Sequence, residues 1–252
     1  MVIGTIKEIV RHPVKSFYGE RVQKTKVMDY GLYGDRSHAF LDGLRDGNYL
    51  TITQFPEMAR YKATFAGEES IEHFPKINVT TPEGNTLEWG SEKLKEEIEA
   101  KSKREVAYTS YSPSHVPLGA IELDHILLVT DASLNNLSEK WGKEALNERR
   151  FRPNLVIELT DKMPFIEEKW IGKRLKIGSE VEIEINSHCK RCMIITVNPE
   201  DGANDSTLLK TVANERNNNF GVYASVIKTG KISVGDKCQA LPDICRMEDG
   251  RG

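Results

Sequence analysis

Val181-Glu182-Ile183-Glu184-Ile185 alternates apolar and charged side chains without a break, and the chain then runs through Cys189-Lys190-Arg191-Cys192 into Met193-Ile194-Ile195-Thr196-Val197. Alternation with a period of two places one set of side chains on one face of an extended strand, so the first stretch predicts a half-buried strand. The continuous apolar run predicts a second, fully buried strand. Two thiols and two cations therefore sit where a turn meets that run.

The same signals recur on both sides. Residues 2–9 alternate up to a turn at Arg11-His12-Pro13, and Gly31-Leu32-Tyr33-Gly34-Asp35-Arg36 is a glycine-punctuated turn before a strand at His38–Asp42. Leu44-Arg45-Asp46-Gly47-Asn48 carries a hairpin signal ahead of a strand at 49–53. Further strands are predicted at 126–129, 155–159, 222–227 and 232–234, the last two flanking the Thr229-Gly230 turn. Helical spacing is confined to three places. Residues 91–103 have Ser91 as N-cap and Leu94 and Ile98 inward; Asp131-Ala132-Ser133 caps a helix with Leu134, Leu137 and Trp141 on one face; a third begins near Asp205 or Ser206 with Leu209 and Val212 inward. Many short strands with few helices predict a mainly β fold, a β-barrel with a few peripheral α-helices, because closure removes exposed sheet edges. The Ser- and Pro-rich stretch 108–119 is the expected boundary, giving an N-terminal β-rich domain at 1–110, a β-barrel domain at 111–240 and a loose tail at 241–252.

A chain of 252 residues with a formal net charge of -3 has no general field for nucleic acid. No stretch reaches the roughly 18 apolar residues of a membrane span, and the N-terminus alternates where a leader would be apolar, so the expected location is cytoplasmic. The 4 cysteines, at 189, 192, 238 and 245, are too sparse for a disulfide framework and too few, in their spacing, for an iron–sulfur cluster.

Three clusters carry chemistry. Cys189-Lys190-Arg191-Cys192 suits a soft metal with an anionic ligand: thiolate favours such metals, and neighbouring cations lower a thiol pKa and pair with phosphate. Structural zinc, a redox dithiol and inert buried cysteine stand beside this. The spacing of Cys238 and Cys245 disfavours zinc, and Lys190 and Arg191 resist burial. Cys192, at the expected strand end, is preferred to Cys189 as the ligand. In Arg149-Arg150-Phe151-Arg152-Pro153-Asn154 the proline lets Arg152 and Asn154 point to one side, where a guanidinium fork and an amide suit a phosphate or a pterin edge; a solvated turn is the alternative. His12-Pro13-Val14-Lys15-Ser16 together with Arg36 offers the donors a phosphate wants if the fold unites them.

Taken in order, these stretches, with Pro164-Phe165-Ile166-Glu167-Glu168-Lys169-Trp170-Ile171-Gly172, Phe220-Gly221-Val222-Tyr223 and Gly230-Lys231-Ile232-Ser233-Val234-Gly235-Asp236, resemble a MOSC protein with an N-terminal MOSC-type β-barrel, similar to the amidoxime-reducing component and its bacterial relatives. The resemblance implies a molybdenum pyranopterin cofactor (Mo-molybdopterin), with Cys192 on the metal and as the catalytic residue. It implies cofactor contacts from Lys15, Ser16, Arg36, Arg152, Asn154, Lys190, Arg191 and Tyr223. The implied reaction reduces an N-hydroxylated small molecule, oxygen leaving as water after two electrons and two protons, with a separate electron-donor protein as partner. A non-catalytic carrier of the cofactor or of sulfur is the alternative. Asn198 stands where the family usually has Asp, Thr53 where relatives often have Arg, and His38 replaces a common Trp.

Overall fold

Residues 181–185 fold as their alternation predicts, with Val181, Ile183 and Ile185 buried and Glu182 and Glu184 partly exposed. The computed structural model describes residues 1–143 and 146–242. In chain order its elements are β1 (Val2–Arg11), β2 (Glu20–Val22), β3 (Lys24–Met28), β4 (Gly31–Leu32), β5 (His38–Asp42), β6 (Lys62–Ala66), β7 (Lys76–Thr80), β8 (Thr86–Glu88), α1 (Glu92–Ser102) and β9 (Val106–Ser110). They continue as α2 (Leu118–Ile121), β10 (Ile126–Thr130), α3 (Asp131–Trp141), β11 (Leu155–Leu159), β12 (Arg174–Ile177), β13 (Val181–Lys190), α4 (Thr207–Arg216), β14 (Asn219–Lys228), β15 (Gly230–Ser233) and β16 (Lys237–Ala240).

A ring of strands closes in the order β1, β11, β10, β14, β13, β12, β16 and back to β1. All its pairings are antiparallel except β10 with β11. Ile6, Leu128, Ile157, Leu175, Ile183 and Val222 are among the buried side chains that fill it. The fold is thus the mainly β barrel with peripheral helices that the sequence predicts. One stave comes from the far end of the chain: Gly4 lies opposite Leu159, and a Cβ there would stand 2.3 Å from the Glu158 carbonyl oxygen, so glycine permits the approach. The first strand of the chain thus joins the barrel whose other staves lie between residues 126 and 240.

Between β1 and β10 the chain builds a second core. β5 pairs with β9, β6–β7–β8 form a separate sheet, and α1 covers them with Leu94 and Ile98. Phe17, Phe40, Tyr61 and Val79 pack there, and Val197 from the C-terminal half joins the same cluster. The two halves thus meet along the loops after β1 and β13.

Several local expectations are corrected. Residues 193–197 are no strand: Met193–Thr196 is a 3-10 turn, with the Thr196 hydroxyl donating to the Met193 carbonyl at 2.7 Å. A short apolar run reads alike in either state, and here the local hydroxyl bond accompanies the turn. Residues 49–53 make one isolated bridge, Tyr49 to Leu41, before Gln54 turns back on the Thr51 hydroxyl at 2.6 Å. Thr130, not Asp131, is the side-chain N-cap of α3, accepting from the Ser133 amide. Ser91 holds the N-cap position of α1 without a side-chain cap bond. In α4, Leu208 and Val212 are buried, with Leu209 only partly so. Most of the tail expected at 241–252, with Cys245, lies outside the described residues.

Candidate functional site

Where the halves meet, Arg36, Arg152, Lys190, Arg191, Cys192 and Tyr223 border one cavity of about 200 Å³. The elements deliver them from four directions. Arg36 follows β4, Arg152 ends the 3-10 turn Glu148–Phe151, the thiol segment leaves β13, and Tyr223 lies on β14 beside β13. Leu127, Phe151 and Ile195 supply apolar wall. Arg36 and Arg152 hold left-handed backbone, φ 53° and 55°, as does Ser16 at 72°, a conformation costly for side chains with a Cβ and one that clusters at functional sites.

The charges in this region do not balance. Asp35 is fully buried and pairs with Arg36; burial would raise its carboxyl, but the Arg36 charge and the His12 bonds hold it well below the usual carboxylate range. Arg36 also donates to the Arg152 carbonyl at 3.4 Å. Among the described residues Arg152 has no carboxylate of its own: Nη1 donates to the Phe17 carbonyl at 2.9 Å, and buried Nη2 has no hydrogen-bond partner. Burial, then repulsion from Arg36, pulls Arg152 down to about 9. Burial likewise pulls Lys15 down to about 8 and His12 well below its ordinary value. Cations crowded out of water that outnumber the carboxylates beside them, Asp35 and Glu122, make a site that favours an anion.

The two thiols exchange the places assigned to them from sequence. Cys189 lies inside β13, buried and packed with Leu127 and Tyr223. Burial pushes its thiol up, and Tyr223 is pushed up by the same burial. Cys192 is the exposed one, at the N-cap of the turn and at the cavity border. An accessible sulfur suits a ligand better than an enclosed neutral thiol, so the preference for Cys192 rests on exposure instead of on a strand end. Cys238 is sealed in the barrel core, its thiol raised to about 12 by burial. Among the described residues no three His, Cys, Asp or Glu side chains group as an all-protein metal site.

Other sequence-predicted residues are committed elsewhere. Asn154 is buried and stitches staves together: Oδ1 accepts from the Leu127 amide at 3.0 Å, and Nδ2 donates to the Val10 carbonyl at 3.2 Å. It does not share a free face with Arg152. Lys15 Nζ donates to the Ala120 and Ile121 carbonyls at 2.7 and 3.4 Å, pinning the end of α2. Ser16 Oγ accepts from the Ile52 amide at 3.3 Å. Arg191 is partly structural, donating to the Phe220 and Phe151 carbonyls, each at 2.9 Å, while its Nη2 is buried without a partner. Sequence reasoning overlooked Glu122 and Leu123 at the cavity, and the buried contact of the His12 amide with Asp35 at 2.7 Å. The Asp35-Arg36 adjacency was the available signal for the latter; nothing in spacing marks Glu122.

Residues 3–113 match the family model described as the MOSC N-terminal beta barrel domain, and residues 122–239 match that of the MOSC domain. The chain is similar to "Mitochondrial amidoxime reducing component 2" of Macaca fascicularis, 27% identical over 93% of this chain and 82% of that protein. The protein of the same name from Homo sapiens is 26% identical with the same coverage. "Molybdenum cofactor sulfurase" of Caenorhabditis elegans is 37% identical over 38% of this chain and 14% of its own length.

Proposed function

From the premise that this chain joins a MOSC N-terminal beta barrel domain to a MOSC domain, we propose that it binds a molybdenum pyranopterin cofactor and reduces N-hydroxylated compounds by removing oxygen. The observation that carries this is the sharing of one cavity by the accessible Cys192 thiol, the Asp35-paired Arg36 and the under-neutralised Arg152. A cofactor with a metal at one end and an oxyanion at the other needs those two features together.

The residues present suit such a group. Cys192 is the metal ligand and the catalytic residue. Arg36 and Arg152 hold the anionic tail, Arg152 through the buried Nη2 that lacks a partner. Lys190 and Arg191 add positive charge beside the thiol, while Phe151, Leu127 and Ile195 keep water from one wall. Burial keeps the neighbouring Cys189 a neutral thiol, with the Tyr223 ring forming part of its enclosure, and leaves Cys192 as the accessible sulfur. Lys15, Ser16 and Asn154 shape the site by holding α2, the 49–54 segment and the β10–β11 edge. When bound, the cofactor supplies a metal that exchanges electrons and accepts oxygen from the substrate. The overall change takes two electrons and two protons, giving the reduced nitrogen compound and water. The electrons come from a separate electron-donor protein; the described residues contain no cluster-binding cysteine set. No helix among the described residues is long and apolar enough to cross a membrane, and the proposed cytoplasmic location rests on the sequence pattern.

A second reading, carriage of the cofactor or of sulfur on Cys192, is favoured by the exposure of that sulfur and by the similarity to a molybdenum cofactor sulfurase. Protein loaded with molybdenum and reduced by an artificial dye separates the two. Consumption of benzamidoxime with release of benzamidine is the expected result; loaded protein inert toward amidoximes and hydroxylamines alike would favour the carrier.

A further inference from the structure

We infer that Glu122 is a displaceable internal counter-ion of the cation cavity, a carboxylate that an incoming phosphate or related oxyanion must move aside. The inference rests on the cavity being an anion seat. Glu122 borders the cavity with Arg36, Arg152, Lys190 and Arg191, and it is the one carboxylate among the described bordering residues. Its side chain keeps 42% of its exposure, and its closest cation, Lys15 Nζ, stands 3.8 Å away. That is an ion pair without a hydrogen bond. Its charge nonetheless reaches Lys15, Arg36 and Arg152 and strengthens the hold of each on its proton.

Asp35 provides the contrast. It is buried, hydrogen-bonded to Arg36 and the His12 amide, and has no room to leave. Glu122 has the opposite setting. It follows the four-residue α2, and its neighbour Leu123 is 72% exposed. Lys15 pins the α2 carbonyls, so the backbone before Glu122 is anchored while the carboxylate swings from an open border. One carboxylate is permanent; the other neutralises the cations only until a stronger anion arrives. Exchange of this kind lowers the affinity of the site for small oxyanions, because each must lose the attraction already satisfied by Glu122 and meet its repulsion.

The test is calorimetric titration of inorganic phosphate and of pyrophosphate into the full chain, purified from a host that does not make the cofactor. Glu122→Gln should bind either anion roughly three- to tenfold more tightly than the parent, with the gain shrinking as ionic strength rises. Glu122→Ala should shift affinity in the same direction. Glu96→Gln, an exposed carboxylate on α1, should leave affinity unchanged and so exclude a net-charge effect. If the parent binds phosphate in an Arg152-dependent way but neither Glu122 variant binds it more tightly, this inference alone is overturned. If the parent binds neither anion, and Arg152→Ala behaves identically, the anion seat itself fails and the inference falls with it.

Discussion

Cys189 and Cys192 show how three residues of separation change what a sulfur can do. One is enclosed against Leu127 and Tyr223; the other faces solvent beside cations. Cys192→Ser should abolish molybdenum retention, whereas Cys189→Ser should keep most of it, as elemental analysis of the purified variants will read. Loss from Cys189→Ser alone would move the ligand. Lys15 gives a pH signature in cofactor-free protein. Burial holds it at about 8 in the fold against an ordinary lysine value of 10.5, so the unfolded chain binds the proton more tightly over that window. Stability contributed at Lys15 must therefore rise as pH climbs from 8 towards 10.5, the charged-burial penalty being full below the folded value and relieved above it. The groups acting on it are Glu122, Arg36, Arg152 and Asp35. Melting curves of parent and Lys15→Met should show the parent gaining on the variant across this interval; a constant difference would refute the assignment. The sequence displayed these charged groups but not their partners. Lys15 and Asn154 looked like ligand donors because the carbonyls they satisfy lie more than a hundred residues away.

Strands and turns deliver these side chains, and Asn154 is the clearest joint. Its amide links β10 to β1 at the mouth of β11, so Asn154→Ala leaves the Leu127 amide and the Val10 carbonyl without those partners. The expected loss is about 1 to 3 kcal/mol for a buried group left unsatisfied, measured by urea unfolding. Gly221 supports the same corner: it sits at φ 77°, and a Cβ would stand 2.8 Å from the Leu128 carbonyl oxygen. Legibility followed the strength of periodicity. The alternation at 181–185 and the helical spacing of Leu94 and Ile98 both survive in the fold. The 193–197 run did not, because four apolar residues interrupted only by Thr196 show no period, and a hydroxyl bond from Thr196 accompanies a tight turn there.

Barrel closure explains why cations from both ends of the sequence share one cavity. β1 completes the ring begun by β10 and β11, so the loop that follows it, carrying Lys15 and Ser16, is brought to the turn carrying Arg152. Short strands with turn signals made a barrel legible; the wrap of β1 was not, since register across 150 residues leaves no local mark. Function on this reading requires one site assembled from distant segments. Elemental analysis of the chain purified from a host that makes the cofactor tests it most directly. Molybdenum in near-equal amount to protein, lost from Cys192→Ser and reduced in Arg152→Ala, is the predicted result; protein free of molybdenum from that host would contradict it.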